Sequence, residues 1–484
     1  MRVLKKFRPA DLDNCLDHVR DFFDGFAASR ESWRQKNASY YRELEQEFRF
    51  RIEPGRRVLE VGCAVGDLLA AMQPAYGLGV DVSPAMIELA NSKYGSSSLE
   101  FVCAPIERLA APEQPFDYII LSDFFAFSYD IKLIMERLRP FCHPRTRLVI
   151  NYYSRVWQPL YSYLEKTGRK SPLPILNWVS TDDVVNLLEL SGYEVISARP
   201  AILAPKRVPF ISRFLNRFLA PFPPFRWFCF STFVVARPVM EPLSRPATVS
   251  VVCPCRNEAG NIENIVRRLP DMGASTELIF VEGHSLDDTY EQCLKAQQRH
   301  PEKAITVLQQ PGKGKNDAVR LGFARARGEV LMILDSDLSV PPEDLPSFYD
   351  VLMSGEAEFF NGSRLVYAME EKAMRFLNLL ANRFFGMAFT FLLGQTLKDT
   401  LCGTKVLLAA DYVRLDKGRT YFGEFDPFGD FDLLFGAAKL GLRIRDLPVR
   451  YRERVYGETN ISRFRHGFML LHMCFKAFTS LKCH

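Results

Sequence analysis

GKGKNDAVRLGFARARGEVLMILDSDLSVPPEDL, residues 312–345, decides the fold of the second half of the chain. Glu329 to Leu334 is short, apolar and ends at acids, the pattern of a buried strand. Asp335 and Asp337 follow, with Ser336 between them. Strand alternation carried through these positions puts both carboxylates on one side of the strand tip. There they can share one hard divalent cation, Mg2+ or Mn2+, with bound water. Such an ion holds a diphosphate and offsets charge on a departing nucleotide. Upstream, Gly312, Lys313, Gly314 and Lys315 make a flexible basic loop able to approach phosphates closely. The plain alternative is a strand ending in a solvated acidic turn, because two acids at this spacing are common.

Taken together, GKGxxDAVRxGFxxAxG, the strand and DSDLSVPPEDL resemble the donor site of family 2 glycosyltransferases, above all the dolichyl-phosphate mannose synthase branch. The resemblance implies a GT-A nucleotide-sugar-binding fold, a metal on Asp335 and Asp337, and donor contacts from Lys313, Lys315, Asp335 and Ser336. Pro254, Arg256, Asn257 and Glu258 match the family's P-x-x-N-E edge, which holds the base and ribose of the donor. ELIFVEGHSLDDT, 277–289, stands where relatives have VDDGSxDxT. Glu282 takes the first acid's position and Gly283 the second's, which leaves donor identity open. Asp399 to Lys405 resembles the acceptor-side segment. In FGDFDL, 428–433, the resemblance implies Asp430 as catalytic base, with Asp432 as second choice. Either also reads as an acid placed at a helix N-terminus by the macrodipole. YRERVYGETN, 451–460, resembles the YxxRxxGxSK segment of the polyprenyl-phosphate branch. It implies that the Arg454 fork grips a phosphate in two places, although Asn460 stands where many relatives have Lys.

The first half opens on charged helices, Asp11 to Phe26 and Ser32 to Phe50, expected to form a lid or flank. RVLEVGCAVGDLL, 57–69, is a strand, a glycine-rich turn and a helix start. The glycines allow close backbone approach, and the helix start favours a carboxylate. GLGVDVSP, 77–84, is a second strand whose terminal acid, Asp81, can accept from both hydroxyls of a ribose. The pair resembles class I S-adenosylmethionine-dependent methyltransferases, with FDYIILSDFFAF, 116–127, as that family's fourth strand and Trp227 to Ala236 as its closing strand. It implies that Glu60, Gly62, Ala64 and Gly66 line the methionine end of S-adenosylmethionine, that Asp81 holds its ribose, and that Asp123 borders the active site. Ala104-Pro105 replaces the usual Gly-Asp whose acid binds the adenine amino group, though Glu107 remains. Losing one such hydrogen bond costs about 1 kcal/mol. His143, Tyr152 and Tyr153 are candidates near the mouth, each equally readable as packing. Residues 157–180, rich in proline and aromatics, are suited to an acceptor pocket.

The totals fit an α/β chain of two domains: 1–238 methyltransferase-like, 239–247 a proline-rich linker, and 248–484 glycosyltransferase with an amphipathic C-terminal helix. A net charge of +5 over 484 residues does not suggest a nucleic-acid binder. Eleven cysteines, an odd number without zinc spacing or a secretory signal, point to a reducing cytoplasmic setting. No apolar run of about 20 residues appears, so no spanning helix is expected. Two readings stand for residues 205–225 and for Phe464 to Phe478: rest on a membrane surface, or packing within the protein. The expected function is transfer of a sugar from a nucleotide diphosphate sugar to a lipid-linked or polyprenyl-phosphate acceptor, with methylation of a related glycan or precursor. The alternative keeps the transferase and makes the first half a non-catalytic scaffold.

Overall fold

The computed structural model describes residues 10–167, 173–174, 177–206, 208–367, 376–419, 431–452, 456 and 463–483, with backbone alone at 376–380 and 463–466. The chain divides into two compact units, Met1–Val239 with Lys482–His484, and Met240–Leu481. Residues 239–247 are tied down rather than loose: Val239 N donates to Gly192 O, Leu243 N to Met353 O and Ala247 N to the Tyr349 hydroxyl.

In the first unit, β1 (Arg57–Val61), β2 (Tyr76–Asp81), β3 (Leu99–Cys103), β4 (Phe116–Ser122), β5 (Cys142–Tyr153), β6 (Tyr193–Ala201) and β7 (Ser231–Pro238) form one sheet ordered β3-β2-β1-β4-β5-β7-β6. Strands β1 to β5 run parallel, while β7 is antiparallel to both β5 and β6. The central strands are apolar on both faces, as burial under helices on each side requires: Leu59, Ile119, Ile120, Leu121 and Val149 are fully buried. Strand order reverses between β1 and β4, so the crevice at their carboxyl ends is the expected ligand position.

The second unit carries β8 (Thr248–Cys255), β9 (Ser275–Glu282), β10 (Ala304–Gln309), β11 (Val330–Ile333), β12 (Phe359–Ser363), β13 (Lys405–Leu408) and β14 (Ile444–Pro448), ordered β10-β9-β8-β11-β13-β12-β14. Parallel pairing links β10, β9, β8 and β11, and β13 is antiparallel to β11 and β12. Here the order reverses between β8 and β11. The α/β class and both sheet types agree with the sequence reading.

Several local expectations change. The strand of the opening motif stops at Ile333, so Asp337 lies in a turn and strand alternation does not set its direction. The closing strand begins at Ser231, because Phe225–Phe228 makes a tight helical turn instead. The second N-terminal helix breaks at Asn37 into Arg30–Lys36 and Ala38–Arg51. In the helix Phe376–Leu393, Asn382, Gly386 and Thr390 form a seam against residues 397–399. Asn382 Nδ2 donates to Asp399 Oδ1 at 3.0 Å, Leu397 N donates to Thr390 Oγ1 at 3.0 Å, and a Cβ at 386 would press on Lys398 O. Among the described residues, no helix is long and apolar enough to cross a membrane.

Candidate active sites

The first unit holds a cavity of about 710 Å³ at the carboxyl ends of β1, β2 and β4, within the range of small-molecule sites. It is lined by Glu60, Gly62, Ala64, Asp81, Ile106 and Glu107, by an aromatic end in which Tyr40, Tyr153, Trp157 and Tyr161 pack on Phe230, and by Asp123. Gly62 adopts φ 73°, a conformation costly to other residues, and a Cβ there would strike the Phe124 ring. Glu60 Oε2 accepts from Leu69 N at 2.9 Å, anchoring the turn that follows β1. Burial pushes the pKa of Glu60 well up. Asp81 accepts from Ala64 N at 2.8 Å and Ser83 N at 3.0 Å, which fixes its carboxylate and leaves lone pairs for a ligand. Ala104 brings no acid, whereas the half-buried Glu107 lines the same cavity, its pKa raised by desolvation.

Asp123 follows β4 at φ 53°. Tyr40 OH donates to its Oδ2 at 2.8 Å and Asn151 Nδ2 to its Oδ1 at 2.6 Å, and Tyr153 also hydrogen-bonds to it. Burial raises the carboxyl and these donors only partly offset it, leaving the pKa at about 6. Tyr40 comes from the N-terminal helices, so this flank supplies part of the cavity wall. The other mouth candidates separate: Tyr153 lines the cavity, whereas His143 pairs with Asp117 at 3.3 Å and Tyr152 OH donates to Thr181 at 3.0 Å, neither of them among the lining residues.

In the second unit, the carboxyl ends of β8, β9 and β11 bring together Arg256, Asn257 and Glu258, then Glu282, then Asp335. The first two loops are stitched together. Asn257 N donates to Ser285 Oγ at 3.1 Å, Leu286 N to Asn257 Oδ1 at 2.8 Å, and Glu258 N to Thr289 Oγ1 at 2.9 Å. Pro254 sits inside β8; Glu282 is buried and accepts from Gln309 Nε2 at 3.2 Å. Lys315 opens the helix Lys315–Arg325, with exposed Lys313 in the loop before it. Lys315 Nζ meets Asp335 Oδ1 at 2.7 Å. Burial alone would raise Asp335; Lys315, Lys405 and Arg364 outweigh it and hold the carboxyl below its ordinary value. Ser336 and Asp337 are buried, and Asp337 Oδ1 accepts from Ser339 N at 3.0 Å. Asp432 is engaged by Arg320 Nη2 at 2.5 Å and Asn316 Nδ2 at 3.3 Å. Asp430 and Arg454 lie outside the described residues.

Comparison with known families adds a separate line. The model of the methyltransferase domain family matches residues 58–144, and that of glycosyl transferase family 2 matches 250–410. The chain joins a methyltransferase domain to a family 2 glycosyltransferase domain. Among curated relatives, the dolichol-phosphate mannosyltransferase of Pyrococcus furiosus is 33% identical over 120 residues, 24% of this chain and 33% of that protein. The undecaprenyl-phosphate 4-deoxy-4-formamido-L-arabinose transferase of Edwardsiella ictaluri is 26% identical over 229 residues, 46% of this chain and 64% of that protein. The chain thus spans between a third and two thirds of the length of these two relatives. Among solved structures, glucosyl-3-phosphoglycerate synthase from Mycobacterium tuberculosis aligns at 21% identity and a TM-score of 0.36, over 49% of this chain and 80% of that one.

In the glycosyltransferase domain, Arg364, which lies outside every motif read from the sequence, joins the 399–405 segment. Arg364 lies beside Asp399, and Lys405, fully buried, donates to Cys402 O. A Cβ on Gly403 would overlap Asp335 Oδ2 and Lys315 Nζ. The segment 399–405 therefore packs directly on the acidic turn, and glycine is required by that approach rather than by a left-handed φ. Gly403→Ala is expected to lower sugar transfer at least about tenfold by displacing Asp335, since small misplacements of a positioned group have effects of that order or more. Initial rates of the variant against the parent, with melting curves to check the fold, test this; an unchanged rate refutes the packing argument.

Proposed function

We propose that the glycosyltransferase domain transfers a sugar from a nucleotide diphosphate sugar to a lipid-linked or polyprenyl-phosphate acceptor, with inversion by direct displacement. We further propose that the methyltransferase domain uses S-adenosylmethionine to methylate a related glycan or its precursor. The observation that carries the first part is the ionised Asp335 at the strand-order reversal, beside Lys315 at the head of its helix. The residues present fit a divalent ion. Asp335 stays charged although half-buried, and Asp337 adds a second carboxylate two residues on. No group of three or more His, Cys, Asp or Glu suited to a metal occurs among the described residues. An ion held by two carboxylates takes its other oxygens from water and a diphosphate, the usual arrangement for Mg2+ or Mn2+. When bound, such an ion supplies charge compensation for the leaving nucleotide. Lys315 and Lys313 steady the phosphates, while the 254–258 and 282–289 loops hold the base and ribose. The relatives' names, dolichol-phosphate and undecaprenyl-phosphate transferases, support a polyprenyl-phosphate acceptor. Such an acceptor is already ionised and needs cationic guidance rather than a base. A hydroxyl acceptor would instead need Asp430 or Asp432. The setting that accords with these partners is cytoplasmic, with peripheral membrane contact.

For the methyltransferase domain, the cavity's size and the fixed Asp81 carboxylate fit a nucleoside carrying a short charged tail. When bound, S-adenosylmethionine supplies the electrophilic methyl. Asp123 is the group able to take a proton from an acceptor hydroxyl. Ala104-Pro105 is the one observation favouring the scaffold reading, and calorimetry decides between the two. S-adenosylmethionine is expected to bind the full chain, and Asp81→Asn to weaken it at least about tenfold, the loss expected for hydrogen bonds to a charged group. Isotopic methyl transfer onto lipid extracts should rise as pH climbs through about 6, because Asp123 works only after losing its proton. No binding at millimolar concentration would end the methyltransferase reading.

A further inference from the structure

We propose that residues 206–228 of the methyltransferase domain form a docking surface for an anionic lipid bilayer. This goes beyond the catalytic reading and does not depend on it.

The segment breaks the usual rule for surface composition. Phe210 is 93% exposed and Trp227 61%, with Ile211, Phe214 and Phe228 more than half exposed. Single exposed apolar residues are ordinary, but a contiguous set on one segment marks a contact surface. Phe210, Phe214 and Phe218 recur at helical spacing along the turns Ile211–Phe214 and Leu215–Leu219, and the last two rings pack 5.7 Å apart. On the inner side Ser212, Asn216 and Ala220 are buried.

Charge identifies the partner. Between Glu194 and Glu241 the sequence contains no Asp or Glu, while Lys206, Arg207, Arg213, Arg217 and Arg226 fall within the segment itself. Glu43, from a neighbouring helix, faces Asn216, Arg213 and Arg217. Aromatic rings interleaved with basic side chains suit the headgroup boundary, where rings enter the acyl edge and cations meet lipid phosphates. A protein partner would more commonly be met by an apolar patch with a mixed-charge rim.

The backbone is prepared for such a place, because polar groups leaving water need internal partners. Ser212 Oγ accepts from Val208 N at 2.7 Å and donates to Lys206 O at 2.7 Å. Asn216 bridges both ends of Ala204, accepting from its N at 2.7 Å and donating to its O at 3.2 Å. These bonds hold the loop whose tip is Phe210, at φ 62°, a conformation unusual for a bulky residue. Pro205 and Lys206 also line the cavity, and Trp157 Nε1 donates to Phe228 O at 3.2 Å. The surface is therefore continuous with the aromatic end of the cavity, which suits an acceptor delivered from the lipid phase.

The full chain should sediment with vesicles of phosphatidylcholine mixed with phosphatidylglycerol, far less with phosphatidylcholine alone, and less as salt is raised. Phe210→Ser with Trp227→Ser, and separately Arg213→Glu with Arg226→Glu, should each reduce partitioning at least about tenfold, with melting curves unchanged. Trp227 fluorescence should shift to the blue on binding, and the shift should vanish in Trp227→Phe. Failure to bind anionic vesicles, equal binding to neutral ones, or binding unaffected by both double variants would overturn the proposal. So would loss of binding only in Phe468→Ser with Phe475→Ser, whose side chains are exposed on the C-terminal helix.

Discussion

Asp335→Asn should lower sugar transfer at least about a hundredfold, the scale seen when one preorganised charge at a transition state is removed, while the fold persists. The carboxylate stands just past the carboxyl end of β11, half-buried and bonded to Lys315. Neutralising it removes one of the two negative charges proposed to hold a divalent ion and frees the Lys315 ammonium from its ion pair. Both changes act on the diphosphate, the group on which negative charge grows as the sugar leaves. Asp337→Asn should be milder for the local backbone, because an amide oxygen can still accept from Ser339 N, yet it should also raise the metal concentration needed for turnover. The measurement is hydrolysis or transfer across a panel of nucleotide sugars, with and without manganese, for parent and variants. Parent activity that ignores added or chelated metal, together with near-normal activity of Asp335→Asn, would remove the proposed role of the acidic turn. If the variant loses activity but the parent needs no metal, Asp335 acts through Lys315 alone.

How much of this was visible in the sequence follows from distance along the chain. Local signals carried well: the glycine turn after β1, the acid ending β2, and the strand before Asp335 all lie near their expected places. Boundaries moved by a few residues where a turn competed with a strand, as at Phe225–Phe228. Contacts made across long separations were not legible. Tyr40 reaches Asp123 from 83 residues away, and Arg364 reaches Asp399 across 35. Neither pair has a periodic or compositional trace, because tertiary packing alone brings them together. The repeat of Asn382, Gly386 and Thr390 at every fourth position does not by itself say whether lipid or protein covers it. The 397–399 segment covers it because Thr390, Gly386 and Asn382 leave room for a close backbone.

The Asp399–Arg364 pair yields the largest expected effect on stability. Asp399 is fully buried and accepts five hydrogen bonds: from Arg364 N at 3.0 Å, Nε at 2.7 Å and Nη2 at 2.8 Å, from Asn382 Nδ2 at 3.0 Å and from Leu401 N at 3.0 Å. Burial would raise its pKa, but Arg364 more than compensates and holds it at about 2. Asp399→Asn keeps the shape and takes from the Arg364 guanidinium, its side chain 12% exposed, the counter-charge it bonds directly. The glycosyltransferase domain should lose about 3 to 5 kcal/mol, the cost of breaking one partner out of a buried pair. The double variant Asp399→Asn, Arg364→Met should recover much of that loss, since no unpaired charge remains. The pH dependence follows from the depressed carboxyl. Its stabilising share is complete above the unfolded value near about 4 and disappears as pH falls toward about 2. The gap between parent and Asp399→Asn in urea midpoints of this domain should therefore stay constant above about pH 4 and narrow below it. A gap that is small at neutral pH, or that widens on acidification, would mean the pair is not what holds the 399–405 segment beneath the acidic turn.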